Sequence, residues 1–290
     1  MIEELLYRHS GKSNGIGFVI VLGLGTILSM TLGFAYNFLI VVIPFVYVNF
    51  FITLGFGLTL GYATKFFSRF GKIRNDVHNR ILAVSVGFIG FVFQWIAYFV
   101  FLNSGEHSFQ AFQSNFDLFY NPILLLELLI ELNRTGSWEM FGITFTDFPL
   151  WIIWGIEAGV IIGIPFLIAY RHPIIPFSES LNKWYPKYIL KNQFERISTQ
   201  NQFKQDLSKN IVDTIQNLSY GDPFRYSEIS IYFLLDEETQ YLSVDNIYIE
   251  EGGKGKHIRT PVIHLLPMDN KAAKTLKEAY QSKKQFALDY

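Results

Sequence analysis

Between Lys12 and Lys65 the chain carries no charged side chain, and two more apolar stretches, residues 81–102 and 150–170, follow it. Runs of this length shed their water only into lipid, where every backbone amide must be satisfied within a helix or a closed barrel. As one helix the first run would be roughly 80 Å long against a hydrocarbon core of roughly 30 Å, so it has to fold back on itself. We place the turn at residues 33–37. The expected spans are then 16–33, 38–63 (with a kink at Pro44), 81–102 and 150–170. The N-terminal segment is read as retained and not as a cleaved leader, because Glu3 and Glu4 offset Arg8 and Lys12 and the apolar run is too long.

Loop charge orients these spans. Residues 64–80 hold Lys65, Arg69, Lys72, Arg74 and Arg80 against Asp76, the pattern of a short cytoplasmic loop. Residues 103–149 reverse it, with Glu106, Asp117, Glu127, Glu131, Glu139 and Asp147 against Arg134. Four spans with both termini in the cytoplasm satisfy both loops, and a bacterial inner membrane is the expected setting. The external stretch should contain two amphipathic helices. One carries Phe109, Phe112, Phe116 and Phe119 at helical spacing, and the other opens at Asn121-Pro122, a cap followed by a proline suited to the first turn.

Residues 171–202 read as a juxtamembrane linker in which Lys183, Trp184, Tyr185, Lys187 and Tyr188 suit the headgroup layer. Residues 203–290 read as a soluble α+β domain. An amphipathic helix (Phe203, Leu207, Ile211, Ile215, Leu218) precedes three strand-like runs, 226–235, 240–250 and 256–266, forming an antiparallel meander, and a helix opens near Asp269. Pro261 marks the third strand as an edge or a bulge. The fold expected is a polytopic bundle of four transmembrane helices plus a small α+β domain. None of these segments carries a recognisable family signature.

Candidate functional residues lie inside the bundle. Glu157 stands alone in the fourth span, where an acid costs about 2.5 to 3.5 kcal/mol unless it faces protein or water. Counting along the helices puts Glu157 and Gln94 at matching depths of roughly 20 and 21 Å, which predicts a hydrogen bond between spans three and four. With Asn49 they form the expected intramembrane polar site. Small residues mark the packing faces: Gly25, Ser29 and Gly33 in span one, Gly57 and Gly61 in span two, Gly87 and Gly90 in span three, and Gly155, Gly159 and Gly163 in span four. The last stripe lies about 200° from Glu157 and is expected to meet another span or another copy of the chain.

No enzymatic, metal or cofactor chemistry is written in the sequence. Its six histidines show no metal-ligand spacing, since His257 and His264 fall on opposite faces of one strand, and cysteine is absent. No Gly-x-Ser-x-Gly elbow occurs, and Gly252-Gly253-Lys254-Gly255-Lys256 joins two strands without the hydroxyl a phosphate loop needs. The segment reads as a hairpin turn, with contact of Lys254, Lys256, His257 and Arg259 with anionic headgroups as the weaker alternative. Asn133-Arg134-Thr135 is formally a glycosylation sequon. The net charge of -1 gives no reason to expect nucleic acid. The expected role is a non-enzymatic membrane anchor for a cytoplasmic interaction or ligand-binding domain, with lipid and either a protein partner or further copies as its contacts. The alternative is an oligomeric channel or transporter component working through Glu157.

Overall fold

A computed structural model describes residues 2–43, 45–105, 108–115, 117–140, 142–170, 174–250 and 256–285. The chain divides into two units, Ser10–His172 and a second made of Met1–His9 together with Pro173–Tyr290. A short helix, α1 (Ile2–Leu5), opens the second of these.

The first unit is built on four helices long and apolar enough to cross a membrane: α2 (Gly15–Val42), α3 (Val46–Phe70), α4 (Asp76–Ser104) and, after the intervening stretch, α8 (Asp147–Tyr170). The turn expected at 33–37 is helix instead: α2 continues to Val42 and α3 begins at Val46. Ile43 leaves the helical region, with φ -108° and ψ 94°, as a residue before proline tends to, and the kink expected at Pro44 lies outside the described residues. Gly33 serves instead as a close-approach point, because a Cβ there would lie 3.0 Å from the Gln94 backbone nitrogen of α4. α4 is the most enclosed helix, with 56% of its apolar window buried against 17% in α8, so apolar surface of the other helices faces outward.

Three short helices fill the stretch between α4 and α8: α5 (Phe109–Ser114), α6 (Asp117–Tyr120) and α7 (Pro122–Thr135). The phenylalanine-rich helix expected over 108–120 is thus two pieces, with Phe116 outside the described residues. Asn121 caps α7 by accepting from the Leu124 amide, as a side-chain cap before a first-turn proline should. Ala111, Leu118, Leu125 and Leu132 enter one core with Phe93, Ile96 and Phe99 of α4 and Leu150 and Trp154 of α8, so these helices pack onto the bundle. A hairpin, β1 (Trp138–Met140) and β2 (Ile143–Phe145), leads into α8. Asn133 is buried and donates to the Asp147 carbonyl at 3.0 Å, which places the sequon asparagine out of reach of a modifying enzyme.

The α+β unit is larger than a three-stranded meander. Its strands are β3 (Phe177–Ser178), β4 (Lys183–Trp184), β5 (Lys187–Leu190), β6 (Phe194–Glu195), β7 (Arg225–Tyr232), β8 (Thr239–Ile249) and β9 (His257–Asp269), with β10 (Ser282–Gln285) last. Helices α9 (Gln200–Lys209), α10 (Ile211–Gln216) and α11 (Asn270–Ala279) complete it. The main sheet runs β10-β5-β7-β8-β9, with β6 also on β7, and β3 pairs separately with β4. The expected linker 171–202 is therefore largely folded into this unit. Its lysine and aromatic mixture is a strand alternation in which Lys187 and Ile189 pair with Tyr232 and Ser230 of β7 while Leu190 enters the core. The helix expected through Leu218 breaks at Asn210, whose side chain accepts from the Asp213 amide and starts α10.

One face of the sheet buries Ile229, Ile231, Val244, Ile263 and Leu266 against Phe203, Leu207, Ile215 and Leu276 of the helices. A buried asparagine fastens the segment ahead of α9. Asn246 Oδ1 accepts from the Ile197 amide at 3.1 Å and from Ser227 Oγ at 2.7 Å, while its Nδ2 donates to the Ile197 carbonyl at 2.9 Å. Asn246→Ala should cost the unit about 2 kcal/mol, read as a lower urea midpoint, because it leaves the buried Ile197 carbonyl unpaired and reduces the Ile197 amide to its bond with Ser227 Oγ at 3.2 Å.

The β9 strand ends the sheet and carries the irregularity that Pro261 announces, with register shifts between Leu242 and Asp245 of β8. Leu265 adopts φ 55°, a left-handed conformation that a branched side chain holds only when its surroundings enforce it. There the N-terminal segment joins in: the Tyr7 amide donates to the Leu265 carbonyl at 3.1 Å, the Phe177 amide donates to the Tyr7 hydroxyl at 3.1 Å, and the Tyr7 ring meets Tyr241 edge to face at 5.0 Å. His257 to Pro261, farther along the same edge, are exposed. Burial, reinforced by nearby Arg259, holds the Lys187 ammonium below its ordinary range. Arg259 is committed to Glu228 and Asp245, each at 2.8 Å, so it is not a free headgroup ligand. Residues 251–255, the glycine-lysine turn, lie outside the described residues, as does Arg171-His172-Pro173.

Candidate functional site

The polar centre of the bundle forms around Glu157, with a partner that depth counting did not select. The Tyr36 hydroxyl of α2 donates to Glu157 Oε1, and the same hydroxyl lies 2.9 Å from Thr53 Oγ1 of α3. Thr53 Oγ1 also donates to the Asn49 carbonyl at 2.9 Å, one turn back, which fixes the threonine rotamer. Tyr36 is held from behind by Phe56, whose ring stacks on it at 4.9 Å and 20°. Three helices thus contribute one group each to a linked carboxyl, phenol and hydroxyl.

Gln94 does not reach Glu157. It is buried at 3% exposure, and its Nε2 has no hydrogen-bond partner among the described residues. Helical arithmetic fixes depth but not azimuth, and Glu157 is turned toward the α2 and α3 side, where a phenol reaches it. The sequence hides Tyr36, because a turn over residues 33–37 takes it out of any span. Asn49 does join the site: it lines the same cavity, and its Oδ1 is buried without a partner. Asn37 Oδ1, also buried in α2, is unpaired as well.

These groups open onto a cavity of about 400 Å³ between α2, α3 and α8. Its walls are otherwise apolar and aromatic, with Ile40, Tyr47, Phe50, Phe51 and Ile156 prominent, and among the described residues contain no Lys, Arg or His. A few convergent polar groups in a concave apolar wall of this size are the usual make-up of a small-ligand site. Among the described residues no three His, Asp or Glu side chains come together as a metal site would require.

The glycines separate into two classes. A Cβ on Gly25 would strike Val86, one on Gly57 would lie 2.9 Å from the Val160 carbonyl oxygen, one on Gly61 3.0 Å from Pro165 Cα, and one on Gly87 3.0 Å from Ile161 O and Ile162 Cα. On Gly90 it would meet Leu60, and Ser29 Oγ donates to the Val86 carbonyl at 3.0 Å. These small residues let helices approach, as small residues do within bundles. Gly155, Gly159 and Gly163 do not: nothing among the described residues lies within 4 Å of a Cβ at any of them, so the stripe meets no other described helix.

Comparison with protein-family models, with curated protein sequences and with solved structures finds no match to this chain.

Proposed function

We propose that this chain is a non-enzymatic, multi-pass integral membrane protein whose four-helix bundle holds the α+β unit at the cytoplasmic face as an interaction module. The observation that carries this reading is the membership of Met1–His9 in the same compact unit as Pro173–Tyr290. An even number of crossings returns the chain to the side it started from, so a unit assembled from both flanks of the bundle supports four spans. The basic loop at 64–80 assigns that side to the cytoplasm by the positive-inside rule, and a bacterial inner membrane is the setting we infer. The exposed stretch of the β9 edge, His257 to Pro261, supports pairing with a partner segment.

Because the chain has no cysteine, single introduced cysteines report topology against a clean background. In intact cells a membrane-impermeant maleimide should label Asn115→Cys and leave Lys72→Cys and Glu238→Cys unlabelled until the cells are opened. The reverse pattern would sink the orientation. The anchoring role is tested by the mass of the nanodisc-embedded complex at native expression: a stoichiometric foreign subunit that disappears when the β9 edge is blocked supports it, and a homo-oligomer alone moves weight to a second reading. That reading is a channel or transporter component working through Glu157, and the Tyr36–Glu157 pair inside a cavity favours it.

A further inference from the structure

We infer that the Glu157 cavity binds a lipophilic monocation drawn from the lipid phase. The inference rests on the membrane reading of the bundle and on nothing about the α+β unit. A carboxylate in apolar surroundings is costly unless an opposite charge meets it, and a single phenol hydrogen bond supplies only part of what it needs. Among the described residues Glu157 has that one bond, at Oε1, its second oxygen accepts none, and no basic side chain lines the cavity. Asn49 adds a second unpaired acceptor in the same wall. The rings of Tyr36, Tyr47, Phe50 and Phe51 line the space around them, and aromatic faces attract cations while rejecting anions. Negative charge, open acceptors and aromatic walls complement an apolar body with one positive centre. The exposed positions of Tyr47, Phe51 and Ile156 put the mouth of the cavity on the outward, apolar surface, so such a molecule enters sideways from hydrocarbon.

The test is equilibrium binding of tetraphenylphosphonium to the full chain in nanodiscs, with empty nanodiscs as the partition control and tetraphenylborate as the anion of the same shape. The phosphonium should bind saturably at one site per chain, and the borate should show partition only. Glu157→Gln should weaken the phosphonium about tenfold or more, the usual scale for losing a charged partner. Tyr36→Phe keeps the carboxylate and frees its first oxygen, so it should bind at least as tightly as the parent, which a merely structural role for the cluster would not give. Phe51→Leu removes an aromatic wall without touching the carboxylate and should weaken binding, which keeps the assignment falsifiable if Glu157→Gln does not fold. Equal uptake of cation and anion, or an unaltered phosphonium affinity in folded Glu157→Gln or Phe51→Leu, would overturn it. Failure here with the expected cysteine-labelling pattern removes the ligand and leaves the anchor reading standing.

Discussion

Gly87→Leu is expected to lower the stability of the bundle by about 3 kcal/mol, at the upper end for overpacking, whereas Gly159→Leu should change a single chain by no more than about 0.5 kcal/mol. The two glycines look alike in sequence, each in an apolar helix with small neighbours. Their surroundings differ. A Cβ on Gly87 would lie 3.0 Å from two backbone atoms of α8, and backbone cannot rotate away as a side chain can, so α4 and α8 would have to separate. No atom lies within 4 Å of the corresponding position on Gly159. Thermal unfolding in detergent, followed by tryptophan fluorescence, compares the variants directly. Equal loss in both would contradict the packing described here. A Gly159→Leu protein of normal stability but smaller particle mass would place that stripe between copies of the chain.

Tyr7→Ala should destabilise the α+β unit by about 2 to 3 kcal/mol, although Tyr7 lies far in sequence from most of that unit. The substitution removes an aromatic contact with Tyr241 and the hydroxyl that receives the Phe177 amide. Tyr7→Phe removes the hydroxyl alone and should cost about 1 kcal/mol. Hydrogen exchange provides the local readout: the amides of Phe177 and of β9 around Leu265 should lose protection while those of α4 keep theirs. Unchanged protection in β9 would mean that the N-terminal segment is not part of the unit's fold.

Long-range signals of hydrophobicity were legible in the sequence, and short-range ones were legible where a specific residue forces a backbone choice. The apolar runs correspond to the four long helices, Asn121-Pro122 starts α7, and the alternation of Ile229, Ile231, Phe233 and Leu235 matches the buried face of β7 at Ile229 and Ile231, continues at buried Phe233 just past the strand and ends at exposed Leu235. Short strands were not legible. β5 is four residues long, begins directly after a proline and carries a lysine, so its alternation had no length in which to stand out from a headgroup-binding segment. Partner choice inside the bundle was not legible either. Depth along a helix follows from counting residues, but whether Glu157 turns toward Gln94 or Tyr36 depends on how three helices pack at Gly57, Gly61 and Gly87, which counting does not reach. The turn was misassigned for a related reason: glycine marks both flexible turns and close helix contacts, and Gly33 is the second kind.

The bond between Tyr7 and Leu265 also orders events in time. A ribosome releases Tyr7 before any of the long helices, and reaches β9 only after all four have emerged. Through most of synthesis the N-terminal segment therefore waits with its docking surface not yet made. A chain stopped before β9 leaves the Tyr7 amide without its carbonyl partner, so closing this seam is among the last acts of maturation.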